Sequence, residues 1–253
     1  MKESKNPNPK IVLITGGNSG IGLACAEQFA SPDYITIITG RRKPEGTQAV
    51  AKLKDLGGNA LFIPCDFKDN KQIQSLFNEI KNKFNHLDYA INNAGIEGQP
   101  FTKITDYPEH IWDDVIQVNL KAVWLCMKYE LELMLPRQQG AIVNISSLAG
   151  LKASLTGGAA YTASKHGVVG LTRSAAKEFA PDKIRINCVC PALIKTPMAE
   201  NIIDDLDKIG AQHHPIGRIG LPQDVAQAAH WLCTDKSSFI TGVSIPIDGG
   251  LMA

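Results

Sequence analysis

The 253-residue chain predicts an α/β fold: one doubly wound, seven-stranded parallel sheet flanked by helices on both faces. Three observations lead there. Seven short apolar runs recur along the chain. Longer stretches with helical spacing separate them. No linker rich in Gly, Pro or Ser divides the alternation. Strands covered on both faces read as unbroken apolar runs, and strands alternating with helices imply right-handed crossovers between parallel neighbours.

Residues 1–9 are polar, contain Pro7 and Pro9, and read as a flexible tail ahead of a single domain over 10–253. The first strand is Ile11-Val12-Leu13-Ile14. A glycine turn over 15–22 follows it and opens a helix at 20–30. Strands at 35–39, 60–63 and 87–91 then alternate with helices at 44–56 and 69–84. A long helix over 108–135 leads to a strand at 141–145, and a second long helix covers 159–180. The last two strands, 184–189 and 243–247, bracket a helix at 223–233 and an irregular stretch over 191–221. That stretch carries Pro191, Pro197, Pro215, Gly210, Gly217 and Gly220. A loop of this length in a compact domain is usually functional. It is expected to be a substrate lid with a short mobile helix near 198–209.

Apolar residues make up 44% of the chain and charged residues 20%, enough for a substantial core, and the net charge is +1. That balance gives no electrostatic reason to expect nucleic acid or an anionic membrane as partner. No signal-peptide apolar region and no run of about 18 apolar residues is present, so a cytoplasmic protein is expected. The six cysteines form no CxxC pair and read as buried free thiols; no His/Cys/Asp cluster has metal-ligand spacing.

Thr15-Gly16-Gly17-Asn18-Ser19-Gly20-Ile21-Gly22 has the form Gly-x-x-x-Gly-x-Gly after the first strand. Glycine permits a tight turn and close approach of a pyrophosphate, while a helix N-terminus presents unpaired N–H groups. The acid that would bind NAD ribose hydroxyls belongs at the end of the second strand. Asp33 precedes that strand instead, and the strand ends in Thr39-Gly40-Arg41-Arg42. Two guanidinium groups suit a 2′-phosphate, so NADP is predicted over NAD.

Tyr161 and Lys165, four apart in the helix 159–180, share one helix face. A phenol ionises near pH 10, and a neighbouring ammonium favours the phenolate. Alone, such a pair is more often a surface contact. Ser146 and Ser147 close the fifth strand, and Asn92-Asn93-Ala94-Gly95 follows the fourth. Each taken singly is an ordinary polar turn, but three polar turns meet where parallel sheets bind ligands, outside the strands' carboxyl ends. Asn119 interrupts an apolar helical run; it is either a satisfied core Asn or a residue holding water in a proton relay. His213 and His214 fall in the lid and read as exposed loop histidines.

Together, Thr15-Gly16-x-x-x-Gly20-Ile21-Gly22, Asn92-Asn93-Ala94-Gly95, Asn119, the Ser147 region and Tyr161-x-x-x-Lys165 resemble the short-chain dehydrogenase/reductase family, in its compact branch. The resemblance runs from Lys10 to the end and implies a Rossmann-type fold and an oxidoreductase acting on CH–OH/C=O groups. It implies Tyr161 as general acid/base, Ser147 orienting the reacting oxygen, Lys165 on the ribose, and Asn119 holding a relay water. The dinucleotide would lie against Gly16, Asn18, Ser19, Gly20, Ile21, Gly22, Gly40, Arg41 and Arg42. Asp66 and Phe67 would meet the adenine, and Asn93, Ala94 and Gly95 the adenosine side. Pro191, Ile194 and Thr196 would border the nicotinamide. A homotetramer, or else a homodimer, pairing through helices 108–135 and 159–180 is also implied.

Two positions depart from the family pattern. Pro191-Ala192 stands for the usual Pro-Gly, which stiffens the backbone before Ile194 and Thr196. The family often places its serine thirteen residues before the tyrosine; here that position is Leu148, so Ser147 is read with one inserted residue in the loop, Ser146 being the alternative. The substrate wall is expected from 96–99, 148–155 and the lid over 192–217. Leu148, Leu151, Leu155, Ile194 and Met198 make it partly apolar. A 3-oxoacyl thioester, a cyclic or aliphatic ketone, or a sugar fits equally. The rival class is a catalytically silent NADP(H) sensor or scaffold on the same fold, which would need only the glycine turn and Arg41.

Overall fold

Seven β-strands lie side by side in the order β3-β2-β1-β4-β5-β6-β7, and every neighbouring pair is parallel. The structure, a computed structural model, describes residues 8–154, 156 and 158–253. The strands are β1 (Lys10–Thr15), β2 (Tyr34–Gly40), β3 (Asn59–Pro64), β4 (Tyr89–Asn92), β5 (Gly140–Ile145), β6 (Ile184–Pro191) and β7 (Ser244–Ile247). Each falls within a few residues of its expected place. The central strands are buried on both faces, which explains their unbroken apolar runs.

The helices divide evenly over the two faces. On one, Ala24 of α1 (Gly20–Gln28), Phe29 just after it, Leu53 of α2 (Lys43–Asp55) and Val225 of α9 (Pro222–Cys233) pack on Val12, Ile14 and Ile38. On the other, α3 (Asn70–Phe84), α5 (Ala122–Met134) and α6 (Ala159–Phe179) bury Ile73, Met127 and Val168 against Leu13, Ile37 and Ile142. All six cysteines are free and buried. Among the described residues, no helix is long and apolar enough to cross a membrane.

The expected helix over 108–135 is not one regular helix. It comprises α4 (Glu109–Ile116), a π-helical turn over Gln117–Lys121, and then α5. The cause is Asn119, whose side chain leaves the helix to bond Ile96 and Ser164. A widened turn of this kind is costly without such partners and is frequent at functional sites.

The stretch over 191–221 also differs from the expected single short helix. It forms α7 (Pro197–Glu200) and α8 (Leu206–His213) and is tied at both ends. Ile194 bridges Gly220 in parallel, and the Lys195 ammonium pairs with Asp207 at 2.6 Å. His213 is exposed, but His214 is buried: its ring nitrogen bonds the Gly210 carbonyl at 2.8 Å, so the α8 C-terminus draws it inward.

Candidate active site

The strand order reverses between β1 and β4. Their connections leave in opposite directions, and a crevice opens beyond their carboxyl ends. A cleft of about 680 Å³ occupies this position, within the range of cofactor pockets. It runs from Arg41 and Asp66 past the glycine turn to Tyr161 and Lys165.

The turn is built for close approach. Gly16 and Gly20 have φ of +64° and +52°, the left-handed region that favours glycine. A side chain at Gly22 would place its Cβ 2.2 Å from the Gly16 carbonyl oxygen and 2.5 Å from Asn93 Nδ2. Ser19 precedes α1 without capping it, and no acidic residue occupies the first helical turn. The leading N–H groups of α1 are thereby left to an anion. Thr196 packs over Gly20, with its methyl carbon 3.4 Å from where a Cβ would stand.

The Asn93 side chain locks the end of β4 onto this turn. Its amide donates to the carbonyls of Thr15 and Gly16, at 3.1 and 3.2 Å. The Thr15 hydroxyl in turn accepts from the backbone N–H groups of Asn93 and Ala94. At the far end, Arg41 is exposed, lines the cleft and has no side-chain partner among the described residues. Arg42 is drawn toward Glu45, 3.2 Å away. Asp33 lies before β2, at the opposite end of the sheet from the cleft. The Asp66 carboxylate accepts from the Lys68 N–H, fixing the turn after β3.

Tyr161 lies in the first turn of α6 and Lys165 one turn on. The ammonium stands 5.4 Å from the ring centroid and donates to the Ile145 carbonyl at the end of β5. Burial pushes the phenol up, and the nearby Glu97 charge adds to this; the Ser147 hydroxyl beside it works the other way. Burial lowers Lys165, and the surrounding Cys188, Glu97 and Cys190 offset this only in part. The two serines differ in what they touch. Ser146 is buried and donates its proton to the Lys165 carbonyl at 2.9 Å. Ser147 accepts from the Ala149 N–H and faces Tyr161.

Asn119 is completely buried. Its carbonyl oxygen accepts from Ile96 N–H, and its amide donates to the Ile96 carbonyl and the Ser164 hydroxyl. Both amide protons are therefore spent, leaving neither for a relay water. The side chain instead fixes Ile96 and, with it, Gly95, which packs 3.3 Å from Asn119 Oδ1 and 3.7 Å from Lys165 Nζ at its Cβ position.

Gly22, Ser147, Asn119, Pro191 and Ile194 are not among the residues lining the cleft; the other expected site residues are. Pro191 ends β6 and Ile194 is buried against Gly220, so both support the wall from behind. Leu148 and Leu151 also lie off the cleft, and Leu155 falls outside the described residues. Lining residues not singled out from the sequence include Lys68 and Asp114, an ion pair at 2.6 Å across the rim. Lys68 could have been found from its place just beyond β3, beside Asp66. Asp114 had no local signal.

The sequence matches the family profile described as Enoyl-(Acyl carrier protein) reductase over residues 16–252. It is 37% identical over 244 residues to 3-oxoacyl-(acyl-carrier-protein) reductase FabG of Thermotoga maritima, covering 96% of this chain and 98% of that one. It is 34% identical over 262 residues to 3beta-hydroxysteroid dehydrogenase of Mediterraneibacter gnavus, covering 95% and 94%. The solved structure of ElxO with NADP bound superposes with a TM-score of 0.88 at 36% identity, covering 96% of this chain and 99% of that one. With the parallel sheet, the glycine turn and these matches across nearly its whole length, the chain belongs to the short-chain dehydrogenase/reductase family of NAD(P)-dependent oxidoreductases.

Proposed function

We propose that this protein interconverts a secondary alcohol and a ketone with NADP(H), using Tyr161 as the general acid/base. The observation that carries the reading is the convergence of Tyr161 and Lys165 in the crevice that also holds the glycine turn, with the Ser147 hydroxyl beside the phenol just after β5. The residues fit a dinucleotide: the turn has no side chain in the way, and the α1 N–H groups are unspent. Gly16, Asn18, Ser19, Gly20 and Ile21 would hold the pyrophosphate, Asp66 and Phe67 the adenine, Asn93 to Gly95 the adenosine side, and Thr196 the nicotinamide end. Arg41 would take the 2′-phosphate, with Gly40 giving the backbone room and Arg42 shared with Glu45. NADP bound to the similar ElxO supports this choice. The dinucleotide supplies or accepts the hydride.

The chain's own residues handle the proton. In reduction, the Tyr161 hydroxyl protonates the substrate oxygen while Ser147 holds that oxygen in place. In oxidation, the phenolate removes the alcohol proton. The high pKa that burial gives the phenol keeps Tyr161 protonated and ready to donate. The Lys165 ammonium stabilises the phenolate left behind. Asn119 acts as a positioning residue through Ile96 and Gly95. A homotetramer paired through α4–α5 and α6 goes with this reading; exposed Trp112 and Trp124 on the first of these surfaces support it, and a sedimentation mass tests it.

Tyr161→Phe should abolish turnover on a carbonyl panel followed by NADPH absorbance while leaving NADPH binding intact. Retained turnover would contradict the assignment.

A further inference from the structure

We infer that Glu97 reads the substrate, selecting carbonyl compounds that carry a hydroxyl or ammonium group near the reacting carbon and rejecting carboxylates at the same place. The inference rests on the proposed alcohol/ketone chemistry at Tyr161. Glu97 lines the same cleft as Tyr161 and Lys165, two residues beyond Gly95, which packs against the lysine. It lies on the side away from the glycine turn, because its Oε1 accepts the Thr156 hydroxyl at 2.9 Å from the loop leading into α6. That loop is itself braced: the Ser154 and Thr156 hydroxyls are 2.9 Å apart, and the Thr156 carbonyl accepts from Phe101 N–H at 2.6 Å.

The second carboxylate oxygen of Glu97 has no hydrogen-bond partner among the described residues, and it is not sealed away from solvent. A half-buried carboxylate is costly to keep unless something compensates it. Here burial opposes ionisation, and the Thr156 hydroxyl and Lys165 ammonium offset that only in part. The same charge makes the Tyr161 phenol harder to ionise. In the free protein the partly compensated Glu97 charge is thus a liability. A donor on the substrate removes it: a hydroxyl or ammonium meets the free oxygen in a charge-assisted hydrogen bond, whereas a second carboxylate is repelled. Ile96, Ile111, Ile145 and Val118 in the same lining are apolar, and its polar members Ser146 and Asn201 carry no charge.

A matched series decides it: 4-aminocyclohexanone, 4-hydroxycyclohexanone, 4-methylcyclohexanone and 4-oxocyclohexanecarboxylate, with one ring and one reacting carbonyl. The wild-type kcat/KM should fall in that order, with the first and last at least a hundredfold apart. Glu97→Gln should compress the spread at least tenfold, over and above the shift common to all four that follows from removing a charge beside Tyr161. A uniform change in all four without that compression would mean a bracing or proton-transfer role and would overturn the inference, as would wild-type preference for the carboxylate. The same four are titrated into NADP-loaded Tyr161→Phe protein by calorimetry. If Tyr161 is not the acid/base, turnover persists in that variant, yet the ranking in binding remains. If Glu97 does not select, the ranking is flat in binding whether or not the enzyme turns over.

Discussion

Glu130 offers a test of the core beneath the site. It is fully buried on α5, and the Asn92 amide donates to its Oε2 at 3.1 Å. The Asn92 amide also donates to Asn144 Oδ1, whose own amide reaches the Thr172 hydroxyl. Two acceptors in this network are orphaned: Glu130 Oε1 and Asn92 Oδ1. A proton on Oε1 would turn the first into a donor and leave the second as the acceptor on a residue it already binds. Burial pushes the Glu130 carboxyl up to about 8 from its ordinary 4.5. The folded state therefore holds a proton that the unfolded chain releases. The stabilisation is complete below about pH 4.5 and is lost as pH rises toward 8, a total of up to about 5 kcal/mol. Roughly 3 kcal/mol of this goes between pH 5.5 and 8. Glu130→Gln keeps the shape and supplies a permanent donor. Its advantage over wild type should grow by that amount across the interval, about 6–12 °C in Tm for a chain of this size. Thermal melts of both proteins at each pH measure it. A Tm difference that does not change with pH would refute the neutral carboxyl.

Arg41→Ala should weaken NADPH binding at least tenfold relative to NADH in a fluorescence titration, while Arg42→Ala, already engaged by Glu45, should change the ratio less. An unchanged ratio in Arg41→Ala would remove the 2′-phosphate assignment. Gly22→Ala forces a methyl group onto the Gly16 carbonyl, so it should cost about 1–3 kcal/mol of stability and more than tenfold in dinucleotide affinity, read by urea unfolding and by titration. Arg185 donates to the carbonyls of Leu232, Cys233 and Thr234 and to the Ser237 hydroxyl, holding the C-terminus of α9 against β6. Arg185→Ala leaves these acceptors orphaned and should lower stability by about 3 kcal/mol in urea unfolding, with catalytic constants little changed in the folded fraction.

The centre of the sheet was legible because its strands are buried on both faces and must be apolar throughout, as Val12, Leu13 and Ile14 are. The glycine turn was legible because its chemistry is local. The break in the helix over 108–135 was not: Asn119 in an apolar run marks a buried polar group, but nothing in the run says that its partners are Ile96 and Ser164, more than 20 residues away in either direction. Glu130 hid for the same reason. It reads as one of the charged residues on a helix surface, and only the packing of α5 on β4 and β5 puts it opposite Asn92. Glu97 stood within the expected substrate wall, yet its free oxygen depends on where Thr156 comes to rest.

The Tyr161–Lys165 pair shows how far helix spacing carries the argument. Four residues of separation put both on one side of α6, but they do not bring the ammonium to the phenol, and Nζ remains 5.4 Å from the ring centroid. What places the lysine is the end of β5, whose Ile145 carbonyl receives its proton, together with Ser146, which grips the Lys165 carbonyl from the same strand end. The serine pair therefore divides its work between adjacent residues: one hydroxyl locks the helix to the sheet, and the next faces the phenol. Extended backbone at the end of a strand sends adjacent side chains to opposite sides, which is why two neighbouring serines serve the helix and the phenol separately.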